Sequence, residues 1–227
     1  MKTTRNIFAG LLILMTTSLL AQFNLGIKGG VNFYTANTKL YIDAIDNAPK
    51  TYTSSNWGLV SDIQLTNNIS LHPELQFSKK GFVLDESTSF NLLGLDIPVG
   101  ANITTQINYI EIPILLKATI GTGNVKGYGI IGPSIGHAAT ANIQPKVTLL
   151  IDWYLPKIDI DLNDDMYNRR EISGIIGGGV EYQMNKGKLF TDLRYQYGFT
   201  NVFNQSTADF SVKMKGVQVS AGYMYRF

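Results

Sequence analysis

Apolar and polar residues alternate with a period of two at both ends of the chain that follows residue 21. In residues 23–33 the odd-numbered positions are apolar or glycine, and the even-numbered positions hold glycine or polar residues such as Asn24 and Lys28. Residues 217–227 repeat the pattern with aromatic residues at the end. Successive side chains of a strand point to opposite faces, so the alternation predicts strands with one apolar and one polar face.

The rest of the chain has the same character. No window after residue 21 reaches the roughly 18 uninterrupted apolar residues of a membrane helix, and even the apolar stretch 112–120 contains Lys117. An even number of strands suits a closed antiparallel barrel with both termini on one side, and strands of about ten residues cross an outer membrane. We predict six strands between the terminal ones, at residues 56–65, 69–82, 106–118, 127–139, 171–182 and 188–200. Glycine and isoleucine occupy both faces of 127–139 and 171–182, so the faces of these two strands stay unassigned.

The predicted connections alternate in length. Short joins at residues 66–68, 119–126 and 183–187 alternate with long ones at residues 35–55, 83–105, 140–170 and 201–215. Outer-membrane barrels have short periplasmic turns and longer external loops. We therefore predict an all-β fold, an eight-stranded antiparallel transmembrane β-barrel with meander topology and with both termini in the periplasm.

A secreted soluble barrel of the lipocalin type is the alternative, with its apolar face inward. Charged residues are only 16% of the chain, against roughly 25% in soluble domains. The polar face is rich in Gly, Ser, Asn and Gln, which can fill a narrow lumen, whereas a face in water would carry more Lys and Glu. The membrane barrel is therefore favoured.

Residues 1–21 have the features of a cleavable signal peptide. Lys2 and Arg5 precede an apolar stretch that ends at Ala21. Cleavage after Ala21 leaves residues 22–227 as the barrel domain, located in the cell outer membrane. The absence of cysteine excludes a cysteine nucleophile and a lipid-anchored cysteine, and the net charge of +2 is too small for a nucleic-acid binder.

Several segments together resemble a known family. They include "FNLGIKGGVNF", "ISLHPELQFSKKGF", "NYIEIPILLKA", "ISGIIGGGVEY" and the terminal "VSAGYMYRF". In this order and spacing the chain resembles the PorT-like outer-membrane β-barrel family of Gram-negative envelopes. The resemblance implies an eight-stranded barrel of the OmpA and OmpX type, and it suggests an accessory part in protein secretion.

Charged residues on the predicted inward faces balance in sign. Buried charges persist when they are paired and hydrogen-bonded, so we interpret these residues as a structural salt-bridge plug. A selective pore lined by the same charges is the alternative, although eight strands leave no aqueous channel once side chains fill the lumen. The predicted network comprises Lys28, Asp62, Glu74, Lys80, Glu111, Lys117, Glu181, Asp192, Arg194 and Arg226.

Ser70, His72 and Glu74 are the residue types of a hydrolase triad and share one strand face. Strand neighbours two positions apart stand roughly 7 Å apart at Cα, which does not favour a proton relay unless the side chains bend together. We predict no enzymatic activity, no cofactor and no metal site. A membrane-embedded hydrolase of lipids or peptides remains the less favoured alternative.

Two further features predict partners besides outer-membrane lipid. Tyr223, Tyr225 and Phe227 form an aromatic terminal strand of the kind that the barrel-assembly machinery recognises. The loop at residues 140–170 is apolar for an exposed segment, and such patches mark interaction sites. Its candidate partner-binding residues are Trp153, Tyr154, Leu155, Ile158 and Ile160. The competing interpretation is that these residues lengthen the neighbouring strands. The sequence thus predicts a structural or adaptor component of the envelope, with a narrow pore as the alternative.

Overall fold

The computed structural model describes residues 23–40, 50–92, 95–149, 151–160, 162, 168–202 and 210–227. The predicted signal peptide, with its cleavage site after Ala21, lies outside these residues. All regular structure within these described residues is β. The strands are β1 (Phe23–Leu40), β2 (Lys50–Gln64), β3 (Ile69–Leu92), β4 (Leu95–Ile120), β5 (Val125–Leu149), β6 (Ile151–Tyr154), β7 (Ile158–Ile160), β8 (Arg170–Met184), β9 (Gly187–Gly198) and β10 (Phe210–Arg226).

Eight long strands form a closed antiparallel barrel. Each pairs with its neighbour along the chain, with β5 pairing to β8 across the short β6 and β7. The first and last strands close the barrel through a register that runs from Asn24↔Arg226 to Leu40↔Phe210. The short strands β6 and β7 both pair with β5 on the loop side. In the described part of the chain, no helix is long and apolar enough to cross a membrane.

Three short turns join strands at one end of the barrel, which we call the turn end. The turn between β4 and β5 contains Gly121 and Gly123, whose φ angles of 112° and 96° lie in the left-handed region that favours glycine. Both chain ends described by the structure, Phe23 and Phe227, meet at this end, with ring centroids 6.1 Å apart. We call the opposite end the loop end.

The strands extend beyond their predicted bounds at the loop end. The predicted loop at residues 83–105 is wrong, because β3 and β4 stay paired from Phe82↔Thr105 out to Leu92↔Leu95. Likewise β5 continues to Leu149 and takes up the first part of the predicted loop 140–170. Beyond the membrane both faces of a hairpin meet water, so the apolar alternation that marks a membrane strand is lost while the backbone pairing continues.

Apolar side chains point outward and polar side chains point into the lumen, as the alternation predicts. Ile27 is 65% exposed, whereas the neighbouring Lys28 is 4% exposed. The structure also settles the two strands left unassigned: Ile131 and Ile135 of β5 face outward, and so do Ile172, Ile176 and Val180 of β8. The inward face is not wholly polar. One apolar cluster inside the barrel comprises Val60, Leu115, Tyr128, Ile130, Ile175, Phe190 and Met224.

The outward face gives a test of membrane placement. Leu193 of β9 is 57% exposed. Replacing it by Arg should make folding into lipid vesicles less favourable by about 2–4 kcal/mol, which is the cost of a basic residue near the bilayer midplane. Phe199, just beyond the end of β9 and also 57% exposed, is the matched control. Phe199→Arg should cost about 0–1 kcal/mol, as for a residue near the interface. Equal costs in the two folding titrations would contradict the assignment.

Candidate functional site in the barrel lumen

The ionisable side chains of the lumen form two groups at different heights. The turn-side network comprises Lys28, Asp62, His72, Glu74, Lys117, Glu181, Lys188, Asp192 and Arg194. The loop-side network comprises Lys80, Glu111 and Glu171. All twelve side chains are buried. They come from six of the eight long strands, namely β1–β4, β8 and β9, because the inward positions of all these strands point at the same narrow axis.

Asp62 and Glu181 hold the turn-side end of the network together. The ammonium of Lys117 lies 3.1 Å from an Asp62 oxygen and 2.6 Å from a Glu181 oxygen. The ammonium of Lys188 contacts the same two carboxylates, at 3.1 Å for Glu181. Asp62 also accepts a contact from Nδ1 of His72. Two lysines bridging two carboxylates give four charge-assisted contacts, the strong class of hydrogen bond.

Glu74 is the centre of the other half of the turn-side network. Its oxygens lie 2.6 Å from Nζ of Lys28, 2.8 Å from Nη1 of Arg194 and 2.8 Å from Nε2 of His72. Arg194 in turn donates from Nε and Nη2 to the two oxygens of Asp192, at 2.9 and 2.8 Å. This two-point contact fixes the plane of the guanidinium.

Glycine at position 177 makes room for Arg194. Gly177 pairs with Arg194 across β8 and β9. A Cβ added at residue 177 would lie 2.4 Å from the carbonyl oxygen of Leu193 and 3.0 Å from Cγ of Arg194. These distances are too short for any side chain without movement of the β9 backbone. Gly177, in the glycine-rich segment of β8, therefore allows the close approach of the β9 backbone beside Arg194, the largest fully buried side chain among the described residues.

In the loop-side network one lysine serves two carboxylates. Nζ of Lys80 lies 2.8 Å from Glu111 and 2.9 Å from Glu171. The same ammonium lies 5.2 Å from the ring centroid of Tyr34 and 5.0 Å from that of Tyr109, within cation–π range. With its ammonium enclosed by two carboxylates and two rings, Lys80 is fully buried.

A layer of uncharged polar side chains adjoins the loop-side network. Gln196 donates to Glu111 at 2.8 Å and to Ser173 at 2.7 Å. Tyr34 donates to Gln196 at 2.5 Å, and Gln218 donates to the hydroxyl of Tyr34 at 2.7 Å. Further across the lumen, Asn32 donates to Ser78, Gln76 donates to Gln218, and Asn56 bonds Asn32. Hydrogen bonds thus span the barrel interior from β1 to β9 at this height.

The charges of the lumen balance when His72 is included. Six buried carboxylates face five buried Lys and Arg side chains in the described residues. Both ring nitrogens of His72 face carboxylates, an arrangement that suits a ring carrying a proton on each nitrogen. The sixth positive charge makes the set neutral. A neutral, fully paired interior is what keeps charges tolerable away from water.

The structure places nine of the ten predicted network residues in the two networks. The tenth, Arg226, is a correction: it lies at the open turn end, is exposed, and donates to Gln183 at 2.7 Å. Arg226 has inward parity, but β10 ends there and the side chain reaches water. Three network members are absent from the predicted set: Glu171, Lys188 and His72, which the sequence analysis placed beside Glu74 only as a triad candidate. The alternation of strand faces could have predicted Glu171 and Lys188, because Glu171 shares a strand face with Glu181 and Lys188 shares one with Asp192.

The candidate triad does not assemble. His72 does bend to reach Glu74, but both of its nitrogens are taken up by carboxylates. No nitrogen is left to accept a proton from Ser70, which a serine nucleophile requires. The arrangement therefore serves charge pairing and does not activate a nucleophile.

The candidate partner loop forms a hairpin on the outer part of β5. Trp153 is 67% exposed, Leu155 is 46% exposed and Ile158 is 59% exposed. Ile160 instead packs against a buried cluster that contains Ile107, Tyr109, Ala138, Ala141 and Leu162. The side chain of Tyr154 lies outside the described part of the structure. The competing interpretation, that the loop lengthens a strand, is therefore right for residues 140–149, which belong to β5. The exposed Trp153, Leu155 and Ile158 lie along the returning segment that pairs with this part of β5.

The aromatic terminal strand lies on the outer surface at the turn end. Tyr225 is 41% exposed and Phe227 is 73% exposed, and their rings meet edge to face with centroids 5.0 Å apart. Tyr223 is partly buried. The three rings are therefore accessible on one face of the last strand.

A closed barrel with an apolar outer face and a charge-paired lumen defines the chain as an outer-membrane β-barrel protein. The family model for the outer membrane protein beta-barrel domain matches residues 16–204, and the chain belongs to this family. It is an integral protein of the cell outer membrane.

Solved outer-membrane barrels are similar to this chain in outline. Ail of Yersinia pestis is 16% identical, with 90% of this chain and 98% of that chain covered and a TM-score of 0.39. OprG of Pseudomonas aeruginosa is 13% identical, with 90% of this chain and 95% of that chain covered and a TM-score of 0.42. The outer membrane protease OmpT of Escherichia coli is 9% identical, with 91% of this chain and 97% of that chain covered and a TM-score of 0.41. No curated protein sequence matches this chain.

The loop-side network gives a test of charge pairing. Lys80→Met should lower the free energy of unfolding in vesicles by about 3–5 kcal/mol, because it leaves Glu111 and Glu171 buried without their shared cation. Lys79→Met is the matched control: the adjacent side chain is exposed on the opposite face, and its loss should have little effect. Adding Glu111→Gln and Glu171→Gln to Lys80→Met should restore part of the stability. No difference between the Lys80 and Lys79 variants in urea unfolding would contradict the network.

Proposed function

We propose that this protein is a closed, non-enzymatic barrel that acts as a structural or adaptor component of the outer membrane, with its turns and termini in the periplasm. The observation that carries the proposal is the exposed apolar row on β6, β7 and the residues between them, a segment that pairs with the outer part of β5, above a lumen occupied by paired charges. A barrel that neither conducts nor catalyses contributes to the envelope through its surface. The hairpin is the part of that surface least suited to water.

The lumen supports the closed state. Eight strands enclose an interior just wide enough for side chains to fill. Here twelve charged or ionisable side chains and a layer of Asn, Gln, Ser and Tyr occupy it, and most of their polar atoms are engaged with one another. An ion crossing the lumen would have to displace contacts of 2.6 to 3.1 Å between opposite charges.

Planar bilayers test whether the lumen conducts. The purified protein should insert without stable porin-like conductance, because the two networks cross the lumen at two heights. Arg194→Ala should raise any leakage, since it removes the largest buried side chain of the lumen. Leu193→Ala, on the outer face of the same strand, is the control and should not. Reproducible ion-selective channels in the unmodified protein would favour the narrow-pore alternative.

The hairpin supports a partner role. Trp153 and Ile158 are each more than half exposed, and Leu155 lies between them in the chain. Backbone pairing with β5 holds this segment in place: Trp153 pairs with Val147, and Ile158 pairs with Ile143. Large apolar side chains on a supported, protruding element are typical of protein interaction sites. The occupant we propose is another protein of the envelope, and resemblance to the PorT-like family suggests a protein-secretion assembly.

Crosslinking in intact cells tests the partner role. The double variant Trp153→Ser/Ile158→Ser should lose its envelope crosslinks while the barrel remains folded, because these side chains do not contribute to the lumen networks. Lys157→Ser is the matched control, since it changes an exposed residue of the same hairpin and keeps the apolar row. An unchanged crosslinking pattern in the double variant would contradict the adaptor role.

A further inference from the structure

The outer and inner faces of the barrel differ in their balance of charge: the lumen pairs carboxylates with cations, whereas the described outward side chains of the long strands include cations and no carboxylate. Among the acidic side chains that the structure describes, six point into the lumen, and Asp159 of the hairpin is exposed. The outward face of the long strands instead carries cations near the loop end. These are Lys79 on β3, Arg170 on β8, and Lys213 and Lys215 on β10.

These cations lie at one boundary of the apolar outer face. On β10 the outward row runs from Lys213 and Lys215 through Val217 and Val219 to Phe227. The outward row of β3 runs from Ile69 to Phe77 and reaches Lys79. That of β8 begins at Arg170 and continues through Ile172 to Met184.

The two boundaries of the apolar face are therefore different. On the same three strands, the row ends with Phe227, Ile69 and Met184 at the turn end, and with basic residues at the loop end. Apolar and aromatic side chains suit a membrane interface of either charge, whereas a cationic boundary suits an anionic one. The loop-end leaflet should therefore be the more negatively charged of the two.

Lys213 and Lys215 form the closest pair in this set. They are two positions apart on one strand face, so their Cα atoms stand roughly 7 Å apart and their flexible side chains can reach a common group. Their cross-strand neighbours on β1 are the uncharged Asn37 and Thr35, and on β9 Lys215 pairs with Tyr197. Neither lysine pairs with an acidic residue among the side chains described. The pair thus presents two positive charges beside an aromatic residue at the height of lipid headgroups.

We propose that Lys213 and Lys215 bind the phosphate of a lipid headgroup in the loop-end leaflet, with Arg170 and Lys79 extending the cationic boundary around the barrel. The preferred lipid carries a phosphate monoester, because a group with close to two negative charges matches two ammoniums on one strand face. This site is separate from the proposed partner hairpin on β5 and does not depend on the adaptor role.

Spin-labelled lipids give a direct measurement. The full chain is folded into phosphatidylcholine vesicles at pH 8, and the association of spin-labelled phosphatidic acid is compared with that of spin-labelled phosphatidylcholine. In the Lys213→Gln/Lys215→Gln variant, the preference for phosphatidic acid over phosphatidylcholine should fall about fivefold for each lysine replaced. A factor of about five corresponds to about 1 kcal/mol for each basic residue at an anionic membrane surface. Lys186→Gln, an exposed lysine in a turn at the other end, is the matched control and should keep the preference.

Strand content by circular dichroism confirms that the variants are folded. Raising the salt concentration should weaken the preference, as expected for charges near a membrane surface. Spin-labelled phosphatidylglycerol, a phosphate diester, should be preferred less than phosphatidic acid. Equal association of phosphatidic acid and phosphatidylcholine, equal preference for the monoester and the diester, or an equal loss in Lys186→Gln would each overturn the proposal. If the lysines instead serve an acidic protein, the variant loses a crosslinked partner and the lipid preference stays unchanged.

Discussion

Closure of the sheet between β1 and β10 is the constraint on which the rest of the structure depends. In lipid no water satisfies a backbone amide or carbonyl, so a sheet that crosses a membrane must leave no open edge. The continuous register from Asn24↔Arg226 to Leu40↔Phe210 provides that closure. Once the sheet is closed by eight long strands, every inward side chain must fit within a narrow interior. Over most of the length of each strand, the outward side chains must face the bilayer.

That narrow interior explains the ion pairs. A charge placed in the lumen cannot reach bulk water, so its presence requires an opposite charge at contact distance. The two networks meet this requirement by sharing: Asp62 and Glu181 share two lysines, Glu111 and Glu171 share Lys80, and Glu74 contacts three cations. Because each group has several partners, removing one charge disturbs more than one pair. Each network therefore acts as one electrostatic unit, and Gln196 and Gln218 belong to the uncharged layer that contacts the loop-side network through Glu111.

Sequence alone predicts the features that follow from strand periodicity and misses those that depend on where the membrane ends. The alternation from Phe23 to Phe33 correctly predicts both faces of β1, and nine of the ten lumen charges follow from parity in the same way. Parity does not indicate depth, so Arg226 was assigned to the network although β10 ends in water at that point. The paired extensions of β3 and β4 were also missed, because a hairpin in water keeps its backbone hydrogen bonds without an apolar face. Partner choice, such as His72 bridging Asp62 and Glu74, needs the register between strands, which the sequence of a single strand does not contain.

The distribution of charge also bears on how such a barrel sits among its neighbours. The six described carboxylates of the long strands lie in the lumen, where four lysines, one arginine and His72 balance them. The basic residues of the outward face have no acidic partners among the described side chains. A barrel of small net charge can therefore present a positive boundary to the membrane while its interior remains neutral. Among the described outward side chains of the long strands, the cations lie at the loop end, and the aromatic and aliphatic residues at the turn end suit an interface of either charge. The two boundaries thus distinguish the two leaflets, and a phosphate-rich leaflet at the loop end would favour one orientation of the barrel through the same lysines that bind its lipids.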